Sequence, residues 1–162
     1  MGEENISPAA TPQTAKLMPR RQSLQEIMDY DQGVEKIKVY NQPILNEFQA
    51  FLKNTGVTPK TVKTHIDNIE FFAEYLVYYE PLSKLDEADA GDVYSFLADW
   101  FPRKAAWASE SNTQANMASF RKFFKFLRES NRVDNATEVE VRETLKEHKE
   151  EFLDAVGFDE DY

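Results

Sequence analysis

Apolar residues recur along most of the chain at steps of three and four, which is the spacing of one face of an α-helix. The clearest run consists of Val62, Ile66, Ile69, Phe72, Leu76 and Tyr79. Thr58 and Pro59 stand directly before it, and a threonine cap followed by proline is a typical helix start. The pattern therefore predicts a helix that begins at Pro59 and that Pro81 ends.

Two helical segments are predicted before this one. Ser23 and Glu26 have the spacing of a capping box for a short helix, whose extent beyond Tyr30 is left open. Pro43 favours the start of a second helix, and Gly56 suits its end. The apolar positions of that second helix are Ile44, Phe48, Phe51 and Leu52.

Two more helices are predicted after Pro81. One begins near Asp89, with Asp92 three residues on, and Pro102 is expected to stop it. The next opens with a capping box at 111–114, after the polar loop RKAAWASES. Its core-facing positions are Met117, Phe120, Phe123, Phe124 and Leu127.

A final helix is predicted to open at residues 137–140 and to run to about 156. Its apolar face holds Val141, Leu145, His148, Phe152 and Val156. No alternation typical of strands competes with these patterns, so the predicted fold class is all-α, with five main helices or six. The predicted organisation is a disordered leader at 1–22, a short helical extension at 23–40, a compact helical domain at 41–133, and an acidic helix and tail at 134–162.

Composition excludes several classes of protein. The 162 residues include no cysteine, which rules out disulfides, thiolate metal sites and a cysteine nucleophile. There is no apolar run long enough to span a membrane, and the first residues lack the pattern of a secretory signal. We therefore expect a cytoplasmic protein without a membrane partner.

The net charge of −10 argues against a simple nucleic-acid binder, but the charge is unevenly distributed. Residues 133–162 hold 11 acidic and 3 basic residues, whereas residues 41–132 hold 12 acidic and 11 basic residues. The acidic character therefore belongs to the C-terminal segment, and the predicted helical domain is nearly neutral.

The familiar patterns of metal and cofactor sites are missing from the sequence. His65 and His148 are far apart, and His65 is expected to be a partly buried or surface histidine. No phosphate-binding glycine loop and no nucleophile motif occurs. We therefore predict no cofactor and no metal.

Chemistry suited to phosphate contact gathers at two helix starts and on one helix face. Free N–H groups at a helix start hold phosphate oxygens, and neighbouring lysine and threonine side chains extend such a site. On the face that includes Arg121, Lys125 and Arg128, side chains three and four residues apart form one line. A solvated basic face explains the same pattern equally well.

Four segments in order resemble the N-terminal core-binding domain of phage integrases and other tyrosine recombinases. They are YNQPILNEFQAFL, TPKTVKTHIDNIEFFAEYL, LDEADAGDVYSFLADW and SNTQANMASFRKFFKFLRESNRV. The turn at 56–61 and the stretch FRKFFKFL at 120–127 carry most of the likeness, which covers about 41–133.

The resemblance implies a four-helix core-binding bundle that contacts mainly the phosphates of double-stranded DNA. The contacts it implies are Thr58, Lys60, Thr61, Lys63, Asn112, Thr113, Asn116, Arg121, Lys122 and Lys125. In the family, a second domain with a His-x-x-Arg motif and a tyrosine nucleophile carries out strand cleavage. Here Lys149, Glu150 and Glu151 follow His148, so we expect this chain to cut no DNA.

Two alternatives are left open. The chain is either a DNA-binding module of DNA integration and recombination, or a helical protein-interaction module that kept the fold and lost DNA affinity. Asp67, Glu70 and Glu74 would favour the second if they break the basic surface. The acidic helix at 137–156 is expected to dock either on its own bundle or on another chain. Its role is either autoinhibition or self-association, or it is a solvated acidic helix that covers the end of the bundle.

Overall fold

The computed structural model describes residues 23–157. These residues form helices and turns, with no strand among them, which confirms the all-α fold class. The predicted disordered leader at 1–22 lies outside the described residues. The chain divides into two units, Met1–Glu35 and Lys36–Tyr162, and the core and the candidate site belong to the second.

Seven α-helical segments follow one another along residues 23–157. They are α1 at Leu24–Asn54, α2 at Pro59–Leu76, α3 at Ala90–Ser95, α4 at Phe101–Lys104, α5 at Glu110–Glu129, α6 at Asn135–Glu147 and α7 at Lys149–Gly157. A 3-10 turn at Leu85–Glu87 precedes α3. A π turn at Phe96–Trp100 joins α3 directly to α4.

The predicted capping box at Ser23 is present, and a second one forms at the helix start predicted near Asp89. The Ser23 N–H donates to Glu26 Oε1 at 3.0 Å, and the Glu26 N–H donates to Ser23 Oγ at 3.1 Å. Asp89 and Asp92 exchange the same pair of hydrogen bonds, each at 3.1 Å. These bonds satisfy backbone donors that the first helical turn leaves unpaired, which is why both starts were predictable from local sequence.

The prediction that Pro43 starts a helix is wrong, because Pro43 lies inside α1. An interior proline removes one backbone hydrogen bond, here to the carbonyl of Val39. Both residues are exposed, so water can replace the lost donor. Asn41, Ile44 and Leu45 are buried on the other side and hold the helix in place.

Two further boundaries differ from the prediction for related reasons. Pro102 does not stop its helix, because it stands in the first turn of α4, where no N–H is needed. The π turn at Phe96–Trp100 comes directly before α4 and places Pro102 in that first turn. The capping box expected at 111–114 is absent, because Ser109 caps α5 by accepting the Asn112 N–H at 3.1 Å.

The acidic C-terminal segment is two helices, not one. Asp134 is the cap of α6 and accepts the Thr137 N–H at 2.9 Å, so the predicted start at Thr137 is three residues late. His148 separates α6 from α7, with φ −106° and ψ 16°.

The core is dominated by aromatic side chains from several helices. The rings of Phe48 and Phe123 lie 5.1 Å apart, edge to face, which joins α1 to α5. The rings of Phe72 and Phe120 lie 4.8 Å apart and join α2 to α5. The core positions predicted for α5 are all buried, which confirms that the aromatic stripe is a packing face.

The apolar face of the acidic segment docks on the chain's own bundle. Val141, Leu145 and Phe152 are completely buried and belong to the same core cluster as the phenylalanines. Buried Glu138 accepts hydrogen bonds from Arg128 of α5 and, at 3.4 Å, from Arg142. Of the two docking alternatives, the structure shows the intramolecular one.

Candidate nucleic-acid interface

The start of α2 presents a row of polar side chains to solvent. Thr58 caps the helix: its Oγ1 accepts the Thr61 N–H at 3.3 Å and donates to the Thr61 hydroxyl at 3.0 Å. Lys60 is exposed in the same turn. A phosphate at this end would meet the positive end of the helix dipole and a nearby ammonium group.

Within residues 23–157, Lys63 is the one predicted α2 contact with an ionic partner. Its Nζ lies 2.8 Å from Asp67 Oδ2, with both side chains exposed. The hydrogen bond to Asp67 raises the pKa of Lys63 above its ordinary value. Its charge is therefore compensated locally, which weakens its contribution to a basic surface.

The basic line on α5 is shorter than the sequence predicts. Arg121 and Lys125 are exposed and Lys122 is half-buried. Arg128, the last member of the line, is bound by Glu138 and lies 3.5 Å from Glu129. Within residues 23–157 no ion pair involves Arg121, Lys122 or Lys125.

A buried polar cluster joins α2 to α5. His65 Nδ1 lies 2.7 Å from Ser119 Oγ, and Asn68 Nδ2 donates to the same oxygen at 3.0 Å. Burial lowers the pKa of His65, and the nearby charge of Lys122 lowers it further. Lys122 therefore lies close enough to His65 for its charge to act on the imidazole.

The three polar residues predicted at the start of α5 do not share one surface. Thr113 and Asn116 are only 0% and 3% exposed, so they lie in the core and are removed from the candidate interface. Asn112 is half-buried, and its Nδ2 donates to the Trp107 carbonyl at 2.7 Å. Asn112 therefore fixes the loop before α5.

Sequence reasoning missed Trp107, whose side chain is 55% exposed. Its ring packs 5.1 Å from Phe71 of α2, on the same side of the bundle as Asn112. An indole among alanine and serine residues in a polar loop is the signal that could have found it.

Side chains along α2 contact both α5 and the loop before it. Trp107, just before α5, touches Phe71, whereas Ser119 in the middle of α5 touches Asn68 and His65. Phe120, the next residue of α5, packs against Phe72 of α2. The middle of α5 therefore packs along the middle of α2, and the charge of Lys122 acts on His65 there.

The model of the phage integrase N-terminal, SAM-like domain matches residues 45–131. The chain belongs to this family. The match begins within α1 and ends just after α5, so α6 and α7 lie outside it. No curated protein and no solved structure matches the chain.

Among residues 23–157, His, Asp and Glu side chains form no group of three or more that could hold a metal ion. No helix in this part of the chain is long and apolar enough to cross a membrane.

Proposed function

We propose that the chain is a duplex-DNA-binding module of integrase type, acting in DNA integration and recombination. The observation that carries the proposal is the packing of α5 on α2 at His65 and Ser119, two helices that each bear exposed basic residues, in a family defined by integrase N-terminal domains. The proposed phosphate contacts are Thr58, Lys60, Thr61, Lys63, Arg121, Lys122 and Lys125, with Asn112 at the far end.

Four of these contacts carry a positive charge with no ion-pair partner among residues 23–157. They are Lys60, Arg121, Lys122 and Lys125. A duplex phosphate replaces the water around such groups and releases condensed counterions, which is the main source of sequence-independent affinity. With the net charge at −10, binding to a random duplex should be weak and salt-sensitive.

Charge reversal with a matched control tests the proposal. Lys125→Glu and Lys146→Glu both take the net charge from −10 to −12, and both residues are exposed on a helix. Lys125 belongs to the proposed surface, whereas Lys146 lies on α6 beside Glu143 and Glu147. Fluorescence anisotropy with a labelled duplex at low salt should show a several-fold loss for Lys125→Glu and little change for Lys146→Glu. Equal losses contradict the site.

The acidic side chains of α2 favour a second candidate, a protein-interaction module. Asp67, Glu70 and Glu74 are exposed along the helix beyond the lysines, and Asp67 already holds Lys63. Duplex binding that is undetectable at low ionic strength, with a normally folded protein, would favour this candidate.

We also propose that this chain neither cuts nor joins DNA strands. The family model that matches it describes an N-terminal domain only. Incubation with duplex DNA in several divalent metals, followed by a denaturing gel, should show no covalent protein–DNA adduct. An adduct through any tyrosine would contradict this proposal.

Self-association or partner binding through residues 137–156 is a further proposal. The apolar side of α6 and α7 is buried, so an interface would have to use their exposed acidic side. Sedimentation equilibrium over a hundredfold range of protein concentration tests it. A monomer mass throughout contradicts self-association.

A further inference from the structure

A shallow groove of about 300 Å³ lies beside the exposed indole of Trp107. Its walls come from the middle of α2, the start of α4 and the loop before α5. They are formed by Thr64, Asp67, Asn68, Phe71, Phe101 and Trp107. Aromatic rings make up half of this set, which is unusual for an open surface.

Trp107 packs against Phe71 on one side and is exposed to solvent on the other. Its carbonyl accepts the Asn112 side-chain N–H at 2.7 Å, and the following N–H, of Ala108, donates to the Ala105 carbonyl at 3.2 Å. Phe71 covers one part of the indole at 5.1 Å. A loop ordered in this way presents the indole to a ligand at small entropic cost.

The groove continues the proposed DNA surface. Thr64 lines it, and the Thr64 hydroxyl donates to the carbonyl of Lys60, one turn earlier on α2. Asn68 lies two turns beyond Lys60, which corresponds to about 12 Å along the helix. Asn112 adjoins the opposite end through Trp107. The groove therefore lies between the proposed contacts at the two helix starts.

The chemistry of the groove excludes a phosphate and fits an apolar group. The one charged side chain in its wall is Asp67, which is paired with Lys63, so the wall offers a phosphate no positive charge. Asn68 already donates to Ser119, and the other walls offer aromatic carbon and the methyl group of Thr64. In the major groove of duplex DNA, the apolar group on a base edge is the C5-methyl of thymine, which side chains recognise by apolar contact.

We propose that Trp107 and Thr64 form a subsite for a thymine methyl group in the major groove, so that this surface contacts bases as well as phosphates. The inference rests on the proposed DNA-binding function. It adds a base-reading element to a surface whose other members are phosphate contacts.

Replacing thymine by uracil in the duplex removes the C5-methyl group and leaves the hydrogen-bonding edge of the base unchanged. This replacement tests the methyl subsite directly. An alternating dA–dT duplex is compared with the alternating dA–dU duplex of equal length by fluorescence anisotropy. Burying one methyl group is worth about 0.8 kcal/mol, so the wild-type protein should bind the dT duplex about fourfold more tightly.

Variants show whether the dT-to-dU affinity ratio arises from the subsite or from a difference between the two duplexes themselves. Trp107→Ala should bring the dT-to-dU affinity ratio close to one. Thr64→Ser keeps the hydroxyl and removes only the methyl, so it should lower the ratio partly and serves if Trp107→Ala is poorly folded. Lys60→Glu should weaken binding to both duplexes by the same factor and keep the ratio.

The outcomes distinguish this inference from the function on which it rests. A wild-type ratio near one, with measurable binding to both duplexes, overturns the subsite and leaves DNA binding standing. A ratio that Trp107→Ala and Thr64→Ser both leave unchanged also overturns it. Absence of binding to either duplex at low salt refutes the proposed function and the subsite together.

Discussion

The acidic C-terminal helices should behave as part of the core, and Leu145→Ala tests this against a matched substitution elsewhere. Leu145 of α6 is 0% exposed, whereas Leu24 in the first turn of α1 is 78% exposed. The same chemical change therefore removes a packed side chain at one position and a solvated one at the other.

The expected loss follows from the burial of each side chain. A fully buried Leu→Ala change costs about 2–5 kcal/mol, from lost transfer free energy and from the cavity left behind. For Leu145 we take about 3 kcal/mol as the expected loss. Leu24→Ala should change the free energy of unfolding by less than about 0.5 kcal/mol.

Urea denaturation followed by circular dichroism measures both variants. With a slope of about 1.5 kcal/mol/M, a loss of about 3 kcal/mol lowers the midpoint by about 2 M. Equal midpoints for the two variants would refute the reasoning. So would a separate early transition for Leu145→Ala with an unchanged main transition, because that result would make α6 and α7 a detachable appendage.

Three further outcomes are expected. Because the pKa of His65 is lowered in the folded chain, the unfolded chain binds more protons, and the free energy of unfolding should fall as the pH drops from 6.5 toward the folded pKa. His65→Asn should flatten this pH dependence, as urea titrations at pH 7.5 and 5.5 can show. Thr58→Ala removes the cap of α2 and should cost about 1 kcal/mol by the same assay, whereas Thr58→Ser should cost little. Glu138→Ala leaves Arg128 without its main ionic partner beside the core. In thermal melting it should therefore destabilise the protein more than Glu140→Ala, a change at an exposed position of the same helix.

Local signals in the sequence were enough for several helix starts and for the core face of α5. A cap acts within three residues, so Ser23, Thr58 and Asp89 could be recognised without tertiary structure. The aromatic spacing of α5 is equally local, since one helix face collects positions three and four apart.

Tertiary packing decided the boundaries that the sequence could not predict. The burial of Ile44 and Leu45 carries α1 through Pro43, and the π turn before Pro102 follows from no residue type in that segment. Ser109 and Ser111 are both plausible caps by composition, and only the fold selects Ser109.

The candidate site was predictable at the level of segments and not of single side chains. Thr113 and Asn116 are polar residues on the buried side of α5, which residue type alone does not reveal. The bond between His65 and Ser119 spans 54 positions in the sequence. That contact joins α2 to α5, and no periodicity in either helix predicts it.

The salt dependence of duplex binding tests the central claim most directly. If Lys60, Arg121, Lys122 and Lys125 neutralise about four phosphates, log affinity plotted against log salt concentration should have a slope of about −3.6. Lys125→Glu should make the slope less steep by about one unit, and Lys146→Glu should leave it unchanged. A slope near zero, or equal slopes for all three proteins, would contradict a DNA interface at this surface.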